Sequence, residues 1–189
     1  MRLDAPVTAR SFRPDAVAAA RSVILELWQV LGAFRDAVVL VGGWVPELLH
    51  PHARPPHTGS LDVDVLLNPG PLGQKRYAER LRLLEARGYE RTEQPFKYRR
   101  KVVIGTGRSV VVDVDFLIPK RTAKRGRGVL KSFRAIGADR VELALADSAP
   151  VIVDGTMPGG ALNRVEVTVT GVAGFLVMKA FALHGRLKE

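Results

Sequence analysis

The stretch VVLVGGWVPELLH at residues 38–50, followed by TGSLDVDVLLNP at residues 58–69, decides the fold of this chain. Its pattern predicts a buried strand, a glycine pair that opens a short helix, a loop, and a second buried strand. The glycine pair, Gly42 and Gly43, removes side chains at the point where the first strand turns into the helix. The free N–H groups at such a turn can meet an anion such as phosphate.

The second strand of this stretch carries two acids, Asp62 and Asp64. Residues two apart on a strand leave the same face of the sheet, so both carboxylates point to one side. At about 5 Å apart and an effective dielectric near 20, the two charges repel by roughly 3 kcal/mol. The strand itself holds no Lys or Arg to offset this repulsion. The pair therefore predicts a site for a hard divalent cation such as Mg²⁺ or Mn²⁺.

A second pair of acids, Asp113 and Asp115, lies on the run SVVVDVDFLIP at residues 109–119 and again shares one strand face. One interpretation is that an acid of this pair completes the metal site. The other is a solvated strand face with acids on its outer side. Two strands with the nearly identical patterns Leu-Asp-Val-Asp and Val-Asp-Val-Asp favour the first interpretation.

Composition limits the class of protein. The chain has 189 residues, 47% of them hydrophobic, which suits one compact domain with a sizeable core. It has no cysteine, which excludes disulfides and thiolate metal sites. No apolar run reaches eighteen residues and the charged N-terminus does not resemble a signal peptide, so we expect a cytoplasmic protein without a membrane span.

The formal net charge is +10, which favours a polyanionic partner such as a nucleotide, RNA or DNA. The densest basic run spans residues 120–134 and could grip phosphates, or it could be a solvated loop. A loop at residues 50–60 contains three histidines, but their spacing matches no zinc pattern. Helical and strand periodicity indicates further elements: helices at 14–31, 71–87, 139–147 and 171–185, strands near 89–93, 97–104 and 109–118, and a hairpin between 151 and 169.

The order of hydrophobic strand, glycine pair and Asp-x-Asp resembles the nucleotidyltransferase fold of the DNA polymerase beta superfamily, and within it the AbiEii/MenT-type nucleotidyltransferase toxins. Residues 44–61 make the separation between the glycine pair and the Asp-x-Asp motif longer than is usual there. The resemblance implies an α/β (α+β) fold with a mixed β-sheet flanked by helices and a C-terminal hairpin and helix. We expect a catalytic core at residues 1–118 and a C-terminal extension at 119–189 packed on it.

The resemblance also implies roles for individual residues. Asp62 and Asp64 would bind two Mg²⁺ ions, and Asp115 would complete one site and act as the base, with Asp113 as the alternative. Gly42 and Gly43 would cradle the phosphates of an NTP substrate. Lys179 would contact phosphate too, because Leu176, Lys179, Ala182 and Leu183 match the Leu-x-x-Lys-x-x-Ala-Leu pattern of the family.

The implied activity is transfer of a nucleoside monophosphate from NTP to an acceptor hydroxyl. The acceptor would be RNA, tRNA-like in the toxin branch, with a possible cognate antitoxin as partner. The alternatives are a small-molecule (aminoglycoside-like) acceptor, or a non-catalytic protein that binds nucleotide or RNA. Family members continue into a Lys-Asp-x-x-Asp motif near the position of Lys188, so we expect either a truncated chain or one that lacks this motif and has weak activity.

Overall fold

The fold is built on one mixed β-sheet. The computed structural model describes residues 13–68, 74–105, 107–120, 135–138 and 140–186. Seven strands lie in the order β3-β4-β5-β2-β1-β8-β7, and β6 pairs with β5. The strands are β1 Val38–Val41, β2 Asp62–Leu67, β3 Tyr89–Arg91, β4 Lys97–Val103, β5 Ser109–Pro119, β6 Ile136–Ala138, β7 Ser148–Thr156 and β8 Leu162–Thr170. The helices are α1 Pro14–Leu31, α2 Val45–Leu49, α3 Gln74–Ala86, α4 Glu142–Ala146 and α5 Val172–Arg186.

Helix α1 covers one face of the sheet, which we call the α1 face. Pro14 lies in its first turn, where a missing N–H costs nothing, and the Asp15 carboxylate accepts a hydrogen bond from the Ala16 N–H at 2.9 Å. Apolar residues recur along the helix at a spacing of three to four, and Ile24, Leu27 and Leu31 are at most 1% exposed. This helix forms the main core together with α3 and the inner residues of the strands.

Strand β5 shows how alternation separates the core from the site. Val112, Val114 and Phe116 are fully buried on the α1 face. The acids between them, Asp113 and Asp115, leave the opposite face and are only partly buried. Phe116 also meets the rings of Tyr77 and Tyr98 edge to face. A one-residue shift in the register of β5 would bring the acids to the α1 face and the apolar side chains to the opposite face. Burial of the apolar side chains therefore determines where the acids lie.

The C-terminal part of the chain adds to the same sheet. Strand β8 lies parallel to β1, with Leu40 beside Val169, and β7 pairs antiparallel with β8 at the edge. Helices α4 and α5 lie on the second face, where a smaller core includes Val39, Val41 and Ala144. The sequence boundary proposed at residue 118 therefore falls at the end of β5, and strands from both sides of it share one sheet.

The predicted fold class, a mixed sheet flanked by helices with a C-terminal hairpin and helix, is confirmed. The glycine pair opens a 3₁₀ turn, Gly42–Trp44, before α2 begins. The segment Pro14–Ala37 is long and apolar enough to cross a membrane by length and composition, and 67% of its apolar eighteen-residue stretch is buried inside the fold. That burial is expected of a helix that forms the core.

Candidate active site

A cleft of about 300 Å³ opens on the second face of the sheet, between the end of β1, the start of β2, the second half of β5 and one side of α5. Six of the residues singled out from the sequence line it: Gly42, Gly43, Asp62, Asp64, Asp115 and Lys179. They come from separate segments of the chain, and strand pairing together with the docking of α5 brings them together. We call this second face, which carries all four aspartates of the two motifs, the acidic face.

Strand register places the two acidic motifs side by side. Strand β2 pairs with β5 in parallel, with Asp62 beside Asp113 and Asp64 beside Asp115. Neighbouring strands are about 4.8 Å apart and residues two apart on a strand are about 6.6 Å apart, so the four Cα atoms form a small rectangle. Four carboxylates in such a space repel one another unless cations balance them.

Asp64 has the most perturbed environment in this group. Burial raises its pKa from 3.8 to about 7, and the charges of Asp62 and Asp115 add to the rise. The ammonium groups of Lys179 and Lys97 act in the opposite direction without offsetting it. A divalent cation at this carboxylate would favour its ionised form, because an adjacent positive charge lowers a carboxyl pKa.

Asp115 lies at the border of the cleft, beside Lys97 on β4. The two residues are directly opposite on paired strands, and the Lys97 Nζ lies 3.5 Å from the Asp115 Oδ1. That oxygen is buried and accepts no hydrogen bond. Burial raises the pKa of Asp115 against the opposing charge of Lys97, with Asp113 and Asp62 adding to the rise. Asp115 is therefore a stronger base than an ordinary carboxylate.

Asp113, the alternative third acid, lies outside the cleft. It lines a neighbouring polar trough on β3 and β4 and is held by two cations. The Lys97 Nζ donates to its Oδ2 at 3.2 Å, and the Arg99 Nε donates to its Oδ1 at 3.1 Å. Burial alone would lower the pKa of Lys97, but the carboxylates of Asp115 and Asp113 together raise it. Of the two acids on β5, Asp115 is thus the one in position to share a ligand with Asp64.

The glycine pair makes room for side chains of the site. Gly42 has a positive φ of 77°, and a Cβ there would overlap the Asp64 carboxylate and lie 2.7 Å from its Cγ. A Cβ on Gly43 would overlap the Ser60 hydroxyl and lie 2.8 Å from its Cβ. The sequence predicted that these glycines expose backbone N–H groups to phosphate. The geometry gives them another role, since each one allows a polar side chain to approach the backbone.

Two residues that the sequence analysis did not single out hold Asp62. The Ser60 hydroxyl donates to the Asp62 Oδ1 at 2.5 Å, and the Trp44 indole N–H donates to the Asp62 backbone carbonyl at 2.9 Å. Ser60 is 7% exposed and Trp44 is fully buried. A Ser two residues before the first acid was the available signal for Ser60. Lys97 gave none, because only the β4–β5 register brings it to Asp115.

Lys179 is the cation that α5 brings to the cleft. Phe175, Met178 and Ala182, which also line it, lie on the same side of the helix. The Lys179 Nζ lies 5.8 Å from the centre of the Phe175 ring, a cation–π distance. Its charge acts on Asp64. The sequence placed Lys179 at this site only through a family pattern, and the fold places it at the cleft independently.

The donor chemistry of the cleft fits a hard divalent cation. Asp62, Asp64 and Asp115 offer only oxygen ligands, the Asp64 pKa is raised by burial and by its acidic neighbours, and the Asp115 Oδ1 is buried without a donor in good hydrogen-bond geometry. Within the described residues, however, no three His, Asp or Glu side chains are placed to enclose one metal ion. Ser60 holds Asp62 and Lys97 lies against Asp115, so these carboxylates would have to reorient to share a cation.

The remaining sequence candidates contribute less. In the histidine loop, His50, His52 and His57 are exposed, and the His57 Nδ1 accepts a hydrogen bond from the Gly59 N–H. Most of the basic run at residues 120–134 lies outside the described residues.

Comparisons with known proteins support the fold. No family model matches the chain, and no curated protein matches it. A solved structure, that of an antigenic nucleotidyltransferase-like protein from Paracoccidioides brasiliensis, matches with a TM-score of 0.50 and 15% identity over 84% of this chain. The match spans 63% of that protein's chain, which is less than two thirds of its length. At this identity the likeness shows a nucleotidyltransferase-like fold and does not distinguish the toxin branch.

Proposed function

We propose that this protein is a metal-dependent nucleotidyltransferase that moves a nucleoside monophosphate from an NTP to an acceptor hydroxyl. One observation carries the proposal: a single cleft of a nucleotidyltransferase-like fold gathers Asp62, Asp64, Asp115 and Lys179. Three carboxylates with one ammonium group suit a ligand that brings both phosphate and divalent cations. A nucleoside triphosphate with Mg²⁺ or Mn²⁺ is such a ligand.

The residues of the cleft divide the chemical work. Asp62, Asp64 and Asp115 would hold the metal, which would neutralise phosphate charge and polarise the phosphorus–oxygen bonds. The Lys179 ammonium would balance charge that develops on the phosphates. Ser60 orients Asp62, and the missing side chain at Gly42 leaves the Asp64 carboxylate its space. The 3₁₀ turn that starts at Gly42 is proposed to offer N–H groups to the phosphates.

Transfer would proceed by in-line displacement. The acceptor hydroxyl oxygen attacks the α-phosphorus, the new oxygen–phosphorus bond forms, and the bond to the β-phosphate oxygen breaks as pyrophosphate leaves. Asp115 would accept the hydroxyl proton as the general base, the role that the family resemblance implies for it. It also lies on the side of the cleft next to the polar trough, from which an acceptor can reach it.

The proposed acceptor is RNA, tRNA-like if the protein acts as a toxin. The support is the net charge of +10, which favours a polyanionic partner. Incubation of the protein with Mg²⁺, each labelled NTP in turn and total RNA should label an RNA band. A toxin-like role predicts growth arrest on expression, absent for Asp64→Asn, and a cognate antitoxin that relieves it.

A small-molecule acceptor is the second candidate, and the trough favours it. Three acids and three bases line the trough: Glu90, Glu93, Asp113, Arg91, Lys97 and Arg99. A cavity of mixed charge suits an acceptor that carries both amines and hydroxyls, such as an aminoglycoside-like compound. Labelled product that resists ribonuclease and runs as a small molecule would identify this alternative.

The variants Asp64→Asn and Asp115→Asn test the chemistry directly. Each should lower transfer by about 10³-fold or more, as loss of a group in a catalytic constellation does. Asp113→Asn is the matched control, since Asp113 lies outside the cleft, and it should retain most of the activity. If no NTP is transferred to RNA or small molecules while nucleotide still binds, the protein is a non-catalytic nucleotide-binding relative.

A further inference from the structure

Lys97 lies beside the proposed metal site, but the proposed mechanism gives it no role. Its ammonium group lies between the two acids of β5, 3.2 Å from the Asp113 Oδ2 and 3.5 Å from the Asp115 Oδ1. Its side chain is only 22% exposed, so solvent screens these contacts incompletely. The Lys97 ammonium therefore places a fixed positive charge beside one of the three carboxylates proposed to bind the metal.

The contacts of Lys97 with its two partners differ in kind. The contact with Asp113 is a hydrogen bond, and Asp113 has a second cation in Arg99. The contact with Asp115 is longer, and the buried Asp115 oxygen that it involves has no donor in good hydrogen-bond geometry. Lys97 thus holds Asp115 more weakly than it holds Asp113, so Asp115 can exchange its partner while Asp113 keeps Lys97 in place.

We propose that Lys97 is a positioning residue that balances the charge of Asp115 in the metal-free protein and competes with the divalent cation for that carboxylate. The inference rests on the proposed metal-dependent function and deepens it. In the free protein, Lys97 limits the repulsion among Asp62, Asp64 and Asp115. When a cation binds, Asp115 turns from Lys97 to the metal, and Lys97 remains with Asp113 at the border of the trough.

This competition explains why the described carboxylates do not enclose a metal site in advance. Asp62 and Asp64 have no Lys or Arg within hydrogen-bond distance among the described contacts, whereas Asp115 has Lys97 as its ion-pair partner. Asp62 and Asp64 therefore have no cation to give up when a metal binds, whereas Asp115 does. The charge of Lys97 determines how readily Asp115 binds the metal.

The test is Mn²⁺ binding to the full chain without nucleotide, measured by electron paramagnetic resonance or calorimetry. Lys97→Met removes the competing charge and should tighten Mn²⁺ binding tenfold or more. The matched control is Lys101→Met, which makes the same charge change on the same face of β4 about 13 Å along the strand. At that distance the charge is largely screened, so its effect should stay below about twofold. Lys97→Arg retains the cation and should bind Mn²⁺ within about threefold of the unmodified chain.

Thermal melting tests the role of Lys97 independently of the Mn²⁺ binding measurement. In EDTA, Lys97→Met should melt several degrees below the unmodified chain, because the carboxylates lose their counter-ion. Saturating Mg²⁺ should remove most of this difference, since the metal then balances the same charge. A residue with only a structural role would lower the melting temperature equally in both conditions and leave Mn²⁺ affinity unchanged.

The outcomes separate this inference from the proposed function. If the unmodified chain binds Mn²⁺ and Lys97→Met binds it equally or less tightly, Lys97 is not a competitor and only this inference fails. If neither binds Mn²⁺, the metal site fails as well, and the proposed mechanism with it. If Lys97→Met does not fold, Lys97→Gln and the Lys97→Arg control give the same comparison.

Discussion

The two faces of the sheet each hold a cluster of charged side chains, and β4 contributes to both. On the α1 face, Arg100 of β4 makes a bidentate pair with Glu26 of α1, with nitrogen–oxygen distances of 2.9 and 3.2 Å. On the acidic face, Lys97 of the same strand meets Asp113 and Asp115. Residues only three apart therefore serve two clusters, one with paired charges and one with an excess of carboxylates.

The α1-face cluster is complete in itself. Glu26 is 7% exposed, and its carboxylate accepts hydrogen bonds from two nitrogens of the Arg100 guanidinium. That guanidinium also lies over the Tyr89 ring. The acidic face is unbalanced, because three carboxylates and a single ammonium group line the cleft. The buried Arg100–Glu26 pair joins helix to sheet, whereas the cleft on the acidic face keeps the unmatched carboxylates that we propose bind a divalent cation.

The largest effect on stability should come from the balanced cluster. Glu26→Ala leaves the Arg100 charge buried without its partner and should lower the free energy of unfolding by about 3–5 kcal/mol. Urea denaturation measures it. The matched control is Glu85→Ala, which removes the partner of the exposed Arg91 and should cost less than about 1 kcal/mol. Equal costs for the two variants would remove the distinction between a buried and an exposed pair.

Gly42 should give the next largest effect, and it tests the space around Asp64. Gly42→Ala combines a left-handed backbone, at about 1–2 kcal/mol, with overlap of the Asp64 side chain, at about 1–3 kcal/mol. Gly107→Ala is the control, since Gly107 has a φ of 75° and no atom near its missing Cβ. It should show the backbone cost alone. If both variants lose the same stability in urea melts, Gly42 does not make room for Asp64.

The unbalanced cluster should show a change of opposite sign. The folded-state pKa of Asp64, about 7, lies above its unfolded value near 3.9. The folded state therefore holds an extra proton between these values, and stability falls as pH rises through that window. Asp64→Asn removes this loss and should stabilise the metal-free protein by roughly 4 kcal/mol at pH 8, with no gain near pH 4.

Asp113→Asn is the control for that measurement, because Asp113 is already paired with Lys97 and Arg99 and its loss should not stabilise the protein. Added Mg²⁺ should raise the melting temperature of the unmodified chain and leave that of Asp64→Asn unchanged. A stabilisation by Asp64→Asn that is constant from pH 4 to pH 8 would contradict the assigned cause, since only an ionised carboxylate repels its neighbours.

The smallest effect should come from the outer border of the acidic face. Arg99 is 56% exposed in its pair with Asp113, so Arg99→Gln should change the free energy of unfolding by less than about 0.5 kcal/mol. Chemical denaturation in low and high salt measures it. A cost of several kcal/mol would show that the trough is a rigid part of the fold and not an open surface beside the cleft.

The sequence by itself determined the elements and the faces of the strands. On β5, burial of Val112, Val114 and Phe116 forces Asp113 and Asp115 to the other side, and alternation alone predicts this. The same reasoning identified Asp62 and Asp64, and the glycine pair marked the end of β1. These features are local, because they depend on neighbours within a few residues along the chain.

Only the tertiary structure decided which cations meet the acids of β5. The sequence favoured Asp115 over Asp113 through the family pattern, and the structure has Asp115 lining the cleft and Asp113 lining the trough. The approach of Lys97 follows from the antiparallel register of β4 and β5, and that of Lys179 from the docking of α5. Strand partners and helix docking depend on burial across the whole sheet, and no short stretch of sequence contains that information.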